Sequence, residues 1–157
     1  GNPDVTKQLL DGCTVGGKPY HVHLDGYNQI PYLTGEAKES PRNAIMYMSD
    51  DGEVMAVRVG DYKFHLALQR ANTMRQWAEP FVKVRVPYIM NLRRDPFERA
   101  EVNSNTYLDW MVDHIPQMYL MQAVVAREIA NFAKFPPRQK PASFNLDAVM
   151  AQGQHHG

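Results

Sequence analysis

Asn43-Ala-Ile-Met-Tyr-Met-Ser-Asp-Asp-Gly-Glu-Val-Met-Ala-Val-Arg-Val-Gly-Asp-Tyr-Lys-Phe-His-Leu-Ala-Leu68 reads as three strands and two turns. Asn43 to Met48 is apolar and aromatic, and Asp51-Gly52 after it is a hairpin signal. Val54 to Val59 resumes the apolar run, and Gly60-Asp61 makes a second turn. In the third strand Tyr62, Phe64, Leu66 and Leu68 alternate with Lys63, His65 and Ala67, which gives one face to a core and one to water. No proline falls between Pro41 and Pro80, so every ladder donor of the meander is available.

Downstream of Leu68, Gln69 to Pro87 is an excursion containing Arg75, Trp77, Phe81, Lys83 and Arg85. An excursion of that length inside a compact domain is functional or has its own structure. Val82, Val84 and Val86 alternate with charged residues, so its second half reads as strand; Tyr88 to Leu92 reads as the fourth strand of the sheet. Ser104 or Asn105 is placed to cap a helix over Thr106 to His114. Pro116 suits the first turn of a second helix, which should run to Lys134 and stop before Pro136-Pro137. Tyr107, Trp110, Met111, His114, Met118, Met121, Val125, Ile129 and Phe132 recur mostly at three and four, the stripe of helices lying on a sheet. Met118 to Ala126 is apolar almost all round, and a helix apolar on two sides needs a second partner. The fold class expected is α+β: a four-stranded antiparallel sheet with a long helix on one face, plus extensions at both ends.

Upstream, Asp4 is placed to cap a short helix, Val5 to Leu10, stopped by Asp11-Gly12. Gly16-Gly17 marks a loop, Tyr20 to Leu24 alternates as a strand, and Ile30 to Leu33 forms one helical turn ended by Gly35. Glu36 to Arg42 is a charged linker. The chain thus divides into an extension over 1–42, the sheet and helix over 43–135, and an extended tail over 136–157 with a short helix from Leu146 to Gln152. Gly1 in place of methionine reads as a protease scar.

The 157 residues carry 17 basic and 17 acidic side chains, a balance that gives no electrostatic reason to expect nucleic acid as a partner. A single cysteine, Cys13, excludes an intramolecular disulfide and a cysteine-built zinc site. The strongest apolar run is far shorter than the roughly 20 residues of a membrane span, so no membrane partner is expected.

Three stretches share an order and spacing with a known family. They are Leu24-Asp-Gly-Tyr-Asn-Gln-Ile-Pro-Tyr-Leu-Thr-Gly35, then Gly60-Asp-Tyr-Lys63 after a strand with Ala56 and Arg58, then Ile89-Met-Asn-Leu-Arg-Arg-Asp-Pro-Phe-Glu98. Ser40-Pro-Arg42, Trp77-Ala-Glu-Pro-Phe81 and Phe135-Pro-Pro-Arg-Gln-Lys-Pro-Ala-Ser-Phe144 add detail. The set resembles the C-terminal part of bacterial arylsulfatase-type sulfatases, over roughly residues 18 to 150. In that family a Cys/Ser-x-Pro-x-Arg motif supplies a formylglycine nucleophile beside calcium. Here Cys13 is followed by Thr14, Val15, Gly16 and Gly17, and Asp50-Asp51 lies in a hairpin turn. The resemblance therefore implies the smaller, non-catalytic subdomain, with calcium and formylglycine belonging to a catalytic domain against which it packs. It also implies a periplasmic or secreted parent.

Each candidate site has a plainer alternative. His21 and His23 share a strand face and suit zinc, but no third ligand is dictated, and the face reads as solvated. Cys13 lies in a glycine-rich loop with no helix N-terminus to lower its pKa, so it reads as a loop thiol, not a nucleophile. Asp95-Pro-Phe-Glu98 reads as a turn with Glu98 solvated or paired to Arg94, and Lys63 as a strand-surface lysine. Arg75, Trp77, Lys83 and Arg85 form the basic-aromatic group with functional interest: the cations suit a sulfate or carboxylate, the indole a sugar or aryl ring. By resemblance they are candidates for the rim of a substrate cleft. Catalytic and metal residues are expected to be absent. The expected partner is the catalytic domain, or a second copy of the chain through Met118 to Ala126.

Overall fold

A computed structural model describes residues 2, 4–136, 143 and 146. The fold is α+β, built on a four-stranded antiparallel sheet. The expected helix from Leu146 to Gln152 lies outside the described residues, Leu146 apart. By their contacts the residues group into two compact units, one of 1–43 with 128–136, the other of 44–127 with 137–157.

In the first unit, α1 (Val5–Asp11) leads into a hairpin of β1 (Cys13–Val15) and β2 (Lys18–Tyr20). Gly16 and Gly17, at φ +56 and +78, make its turn, a conformation that favours glycine. Strand therefore occupies Lys18–Tyr20, not the Tyr20 to Leu24 that alternation indicated, because the two-glycine turn fixes the pairing register upstream. α2 (Ile30–Leu33) is the single expected turn.

In the second unit β3 (Ala44–Met48), β4 (Val54–Val59), β5 (Tyr62–Leu68) and β6 (Val82–Asn91) lie side by side in chain order. Gly60, at φ +57, holds the tight link that sets Val59 opposite Tyr62. Register fixes two faces. Met46, Val57, Phe64 and Ile89 line up across the sheet on one face. Lys63 with Arg58 and Met90, and His65 with Ala56 and Tyr88, make the rows of the other.

The first face carries the core. Val57, Phe64 and Ile89 are wholly buried against Met111 of α4 (Tyr107–Asp113) and Met121 and Val124 of α5 (Met118–Lys134). Ile115–Gln117, a 3-10 turn containing Pro116, joins the two helices, so the proline sits where no helical N–H is lost.

β6 is one strand, not the two segments the sequence suggested. The interruption is internal: Tyr88 pairs with His65 but Lys83 pairs with Ala67, so residues between them leave the ladder. Pro87 falls in that stretch, on an edge strand, where its missing N–H costs no ladder bond. On the strand's edge, the Tyr107 hydroxyl donates to the Ile89 carbonyl at 2.9 Å. A short helix that the sequence reading missed, α3 (Ala100–Asn103), precedes α4. Asp95 explains it: its Oδ2 accepts the Ala100 N–H at 2.7 Å and starts the turn.

Candidate functional site

The rear face of the sheet holds a polar cluster. Lys63 and His65 stand two apart on β5 and so project to the same side. Glu98 reaches both: its Oε1 accepts from Lys63 Nζ at 2.7 Å and its Oε2 lies 2.5 Å from His65 Nε2. The three side chains are only 14%, 15% and 26% exposed, in the order Lys63, His65, Glu98. Lys63 also lies over the Tyr47 ring, 4.5 Å from its centre. Alongside, Arg70 pairs with Glu101 at 2.8 Å and covers the Tyr88 ring. Hence Lys63 is not a solvated strand lysine, and Glu98 pairs with Lys63 and His65 instead of Arg94.

Burial opposes the charge on Glu98, but the Lys63 hydrogen bond, the charge that His65 acquires in acid, the Lys63 charge and the His65 hydrogen bond outweigh it and hold the carboxyl below its usual range. Burial and then the Lys63 charge push His65 below its ordinary value of 6.5, and Glu98 offsets them only in part. An ionised carboxylate can only accept, so the proton between His65 and Glu98 resides on Nε2 of a neutral ring. Both carboxylate oxygens are thereby occupied, and none of the side-chain bonds brings a serine, threonine or cysteine to the cluster. This geometry ties the chain after β6 to the centre of the sheet; it is not that of a nucleophile and base. The tie holds Glu98 at φ +54, a left-handed backbone uncommon for a residue with a side chain.

The four rim candidates are not gathered into one site. Arg75 lines a cleft of about 530 Å³ with Arg70, Asn72, Glu79 and Val82. Gln69 braces the loop around it, donating to the Gln76 and Glu79 carbonyls at 3.2 and 3.1 Å and accepting from the Ala71 N–H at 2.8 Å. Trp77, at the end of the 3-10 turn Thr73–Trp77, is 80% exposed. Lys83 is drawn away to Glu53, 2.9 Å distant on the turn between β3 and β4. Arg85 lies exposed on the unpaired part of β6. Thr73 is the second non-glycine residue in the left-handed region, at φ +57. A β-branched residue there is a genuine outlier, and such strain gathers where a loop is held for use.

In the first unit His21 and His23 do meet on one side, both against Phe135, with ring centres 4.9 and 6.0 Å away. His23 Nδ1 also lies 3.3 Å from Asp25. Among the described residues no three histidine, cysteine or acidic side chains converge as a metal site, and no helix is long and apolar enough to cross a membrane.

The sequence signal for the Lys63, His65 and Glu98 cluster was the alternation of β5 itself. Two titratable residues on the face opposite Phe64 needed a partner if anything covered that face, and Glu98, on the turn ahead of α3, supplies it. A comparison with known proteins finds no matching family model and no curated relative.

Proposed function

We propose that this chain is the non-catalytic, C-terminal part of an arylsulfatase-like sulfuric ester hydrolase, packing against a catalytic domain and bordering its substrate cleft with the Trp77 loop. The observation that carries the reading is the meeting of two of the motifs on which the resemblance rests. Lys63 closes Gly60-Asp-Tyr-Lys63, Glu98 closes Asp95-Pro-Phe-Glu98, and the two are joined at 2.7 Å across 35 residues. Separate matches that converge on one ion pair behave as a single structural unit. The sequence around Cys13 lacks the proline and arginine of the nucleophile motif. Calcium and the formylglycine belong, in this reading, to the catalytic domain.

The test has two arms. The purified chain should not hydrolyse an aryl sulfate, and it should bind a sulfatase catalytic domain from which the equivalent subdomain has been deleted. Turnover by the chain alone, or no association, would overturn the reading. In the assembled enzyme Trp77→Ala should lower kcat/KM on at least one sulfate ester; an unchanged value on all of them would remove the loop from the cleft.

A second reading, an oligomerisation module derived from a sulfatase, has one observation in its favour. On α5, Met121 and Val124 are buried whereas Tyr119 and Leu120 are 71% and 48% exposed. A second copy meeting that face would give a symmetric dimer in sedimentation equilibrium, and a monomer at high concentration would exclude it.

A further inference from the structure

We propose that the cleft between the end of β6 and the start of α4 binds a small planar organic monoanion, an aryl carboxylate in chemical class. This goes beyond the reading above and does not depend on it. The cleft has a volume of about 270 Å³. Behind it Ile89, Met90 and Tyr107 are packed to 0%, 3% and 4% exposed, so its accessible apolar surface is that of the half-buried Ala100 and Trp110. Trp110, stacked on His114 with ring centres 4.2 Å apart, forms a rigid aromatic wall. A flat apolar body fits such a lining.

The polar groups determine what the body must carry. Asn91 Oδ1 is taken by the backbone N–H groups of Arg93 and Arg94, at 3.1 and 3.2 Å. Asp95 Oδ2 is taken by Ala100. The acceptors are therefore largely used inside the loop. The donors are not: the Arg94 guanidinium, the Asn91 side-chain amide and the Trp110 indole N–H have no hydrogen-bond partner among the described residues. Ser104 and Thr106 share one hydroxyl contact at 3.2 Å, which leaves a further O–H to donate. A lining with surplus donors, one of them a guanidinium, calls for a ligand rich in acceptors, and the planar fork of arginine matches a carboxylate. The Asp95 charge on the same wall restricts that ligand to a single negative charge, since a second would sit against it.

The test is a nuclear magnetic resonance titration of the full chain with sodium benzoate, with benzamide as the neutral match and phthalate as the dianion. The two tryptophans give separate indole signals, assigned with Trp77→Phe. Benzoate should shift the Trp110 indole and the amides of residues 91 to 94 saturably, with a Kd of about 1 mM for so small a ligand. Benzamide and phthalate should each bind at least 10-fold more weakly. Arg94 is exposed and unpaired among the described residues, so Arg94→Gln should leave the amide dispersion and Tm unchanged while weakening benzoate to the level of benzamide. Linear shifts without saturation, shifts confined to Trp77, or undiminished binding by Arg94→Gln would each overturn the proposal.

Discussion

Glu98 joins two properties that rarely coincide, an unfavourable backbone and two short hydrogen bonds. Its left-handed φ costs on the order of 1–2 kcal/mol, and the bonds to Lys63 and His65 offset that. Glu98→Gln would leave Lys63 largely buried without its counter-charge, so a loss of about 1–3 kcal/mol is expected in denaturant unfolding. The pH dependence follows from the shifts. His65 titrates below 6.5 in the fold, so the unfolded chain takes up its proton first, and stability is lost as pH falls through 6.5 towards the lowered value. Glu98 titrates below its ordinary 4.5, so its contribution is present above 4.5 and is lost as pH falls further. Tm should therefore drop in two stages on acidification, and Glu98→Gln should abolish the lower one. Thr73 presents the opposite case, strain with no side-chain hydrogen bond among the described residues to offset it. Thr73→Gly should leave the protein as stable or raise stability by up to about 1 kcal/mol, despite the extra freedom glycine gives the unfolded chain. A clear fall in Tm would mean that the threonine side chain holds the loop.

At the scale of elements, the strands were readable wherever alternation met a turn signal. β3, β4, β5 and the link at Gly60 lie where the residues place them, because a slip of one residue would move Phe64 from the core to the polar face. Phe64→Ala removes the centre of that row, and a loss of about 3–5 kcal/mol is expected, seen as unfolding at moderate denaturant. What was not legible has common causes. The ladder of β6 is broken by pairing to β5, which no local pattern in Val82 to Asn91 records. β1 and β2 form a hairpin of three-residue strands, too short for alternation to show. α3 depends on a single carboxylate, Asp95, reaching five residues ahead. In the candidate site, each half of the Lys63 and Glu98 pair was visible as a motif. Their meeting was not, since a sequence without a fold does not say which face of β5 the later chain covers.

At the scale of the whole molecule, several large apolar side chains among the described residues stay outside the core. Met74, Trp77, Phe97, Val102, Leu108, Val112 and Tyr119 are each more than half exposed. Of these, Tyr119 lies on α5 beside the exposed Leu120, and the sedimentation measurement above tests whether a second copy covers that face. The Lys63 and Glu98 tie has a further consequence, for the order of events in folding. The meander from β3 to β5 is closed by two short turns, so its contacts are local and form early. The tie closes a loop of 35 residues and can form only after β6 has docked. Its loss should leave the refolding rate of the chain nearly unchanged and raise the unfolding rate, so that Glu98→Gln moves one arm of a stopped-flow chevron and not the other. Glu98 would then govern how long the folded chain lasts, and the hairpins how quickly it is made.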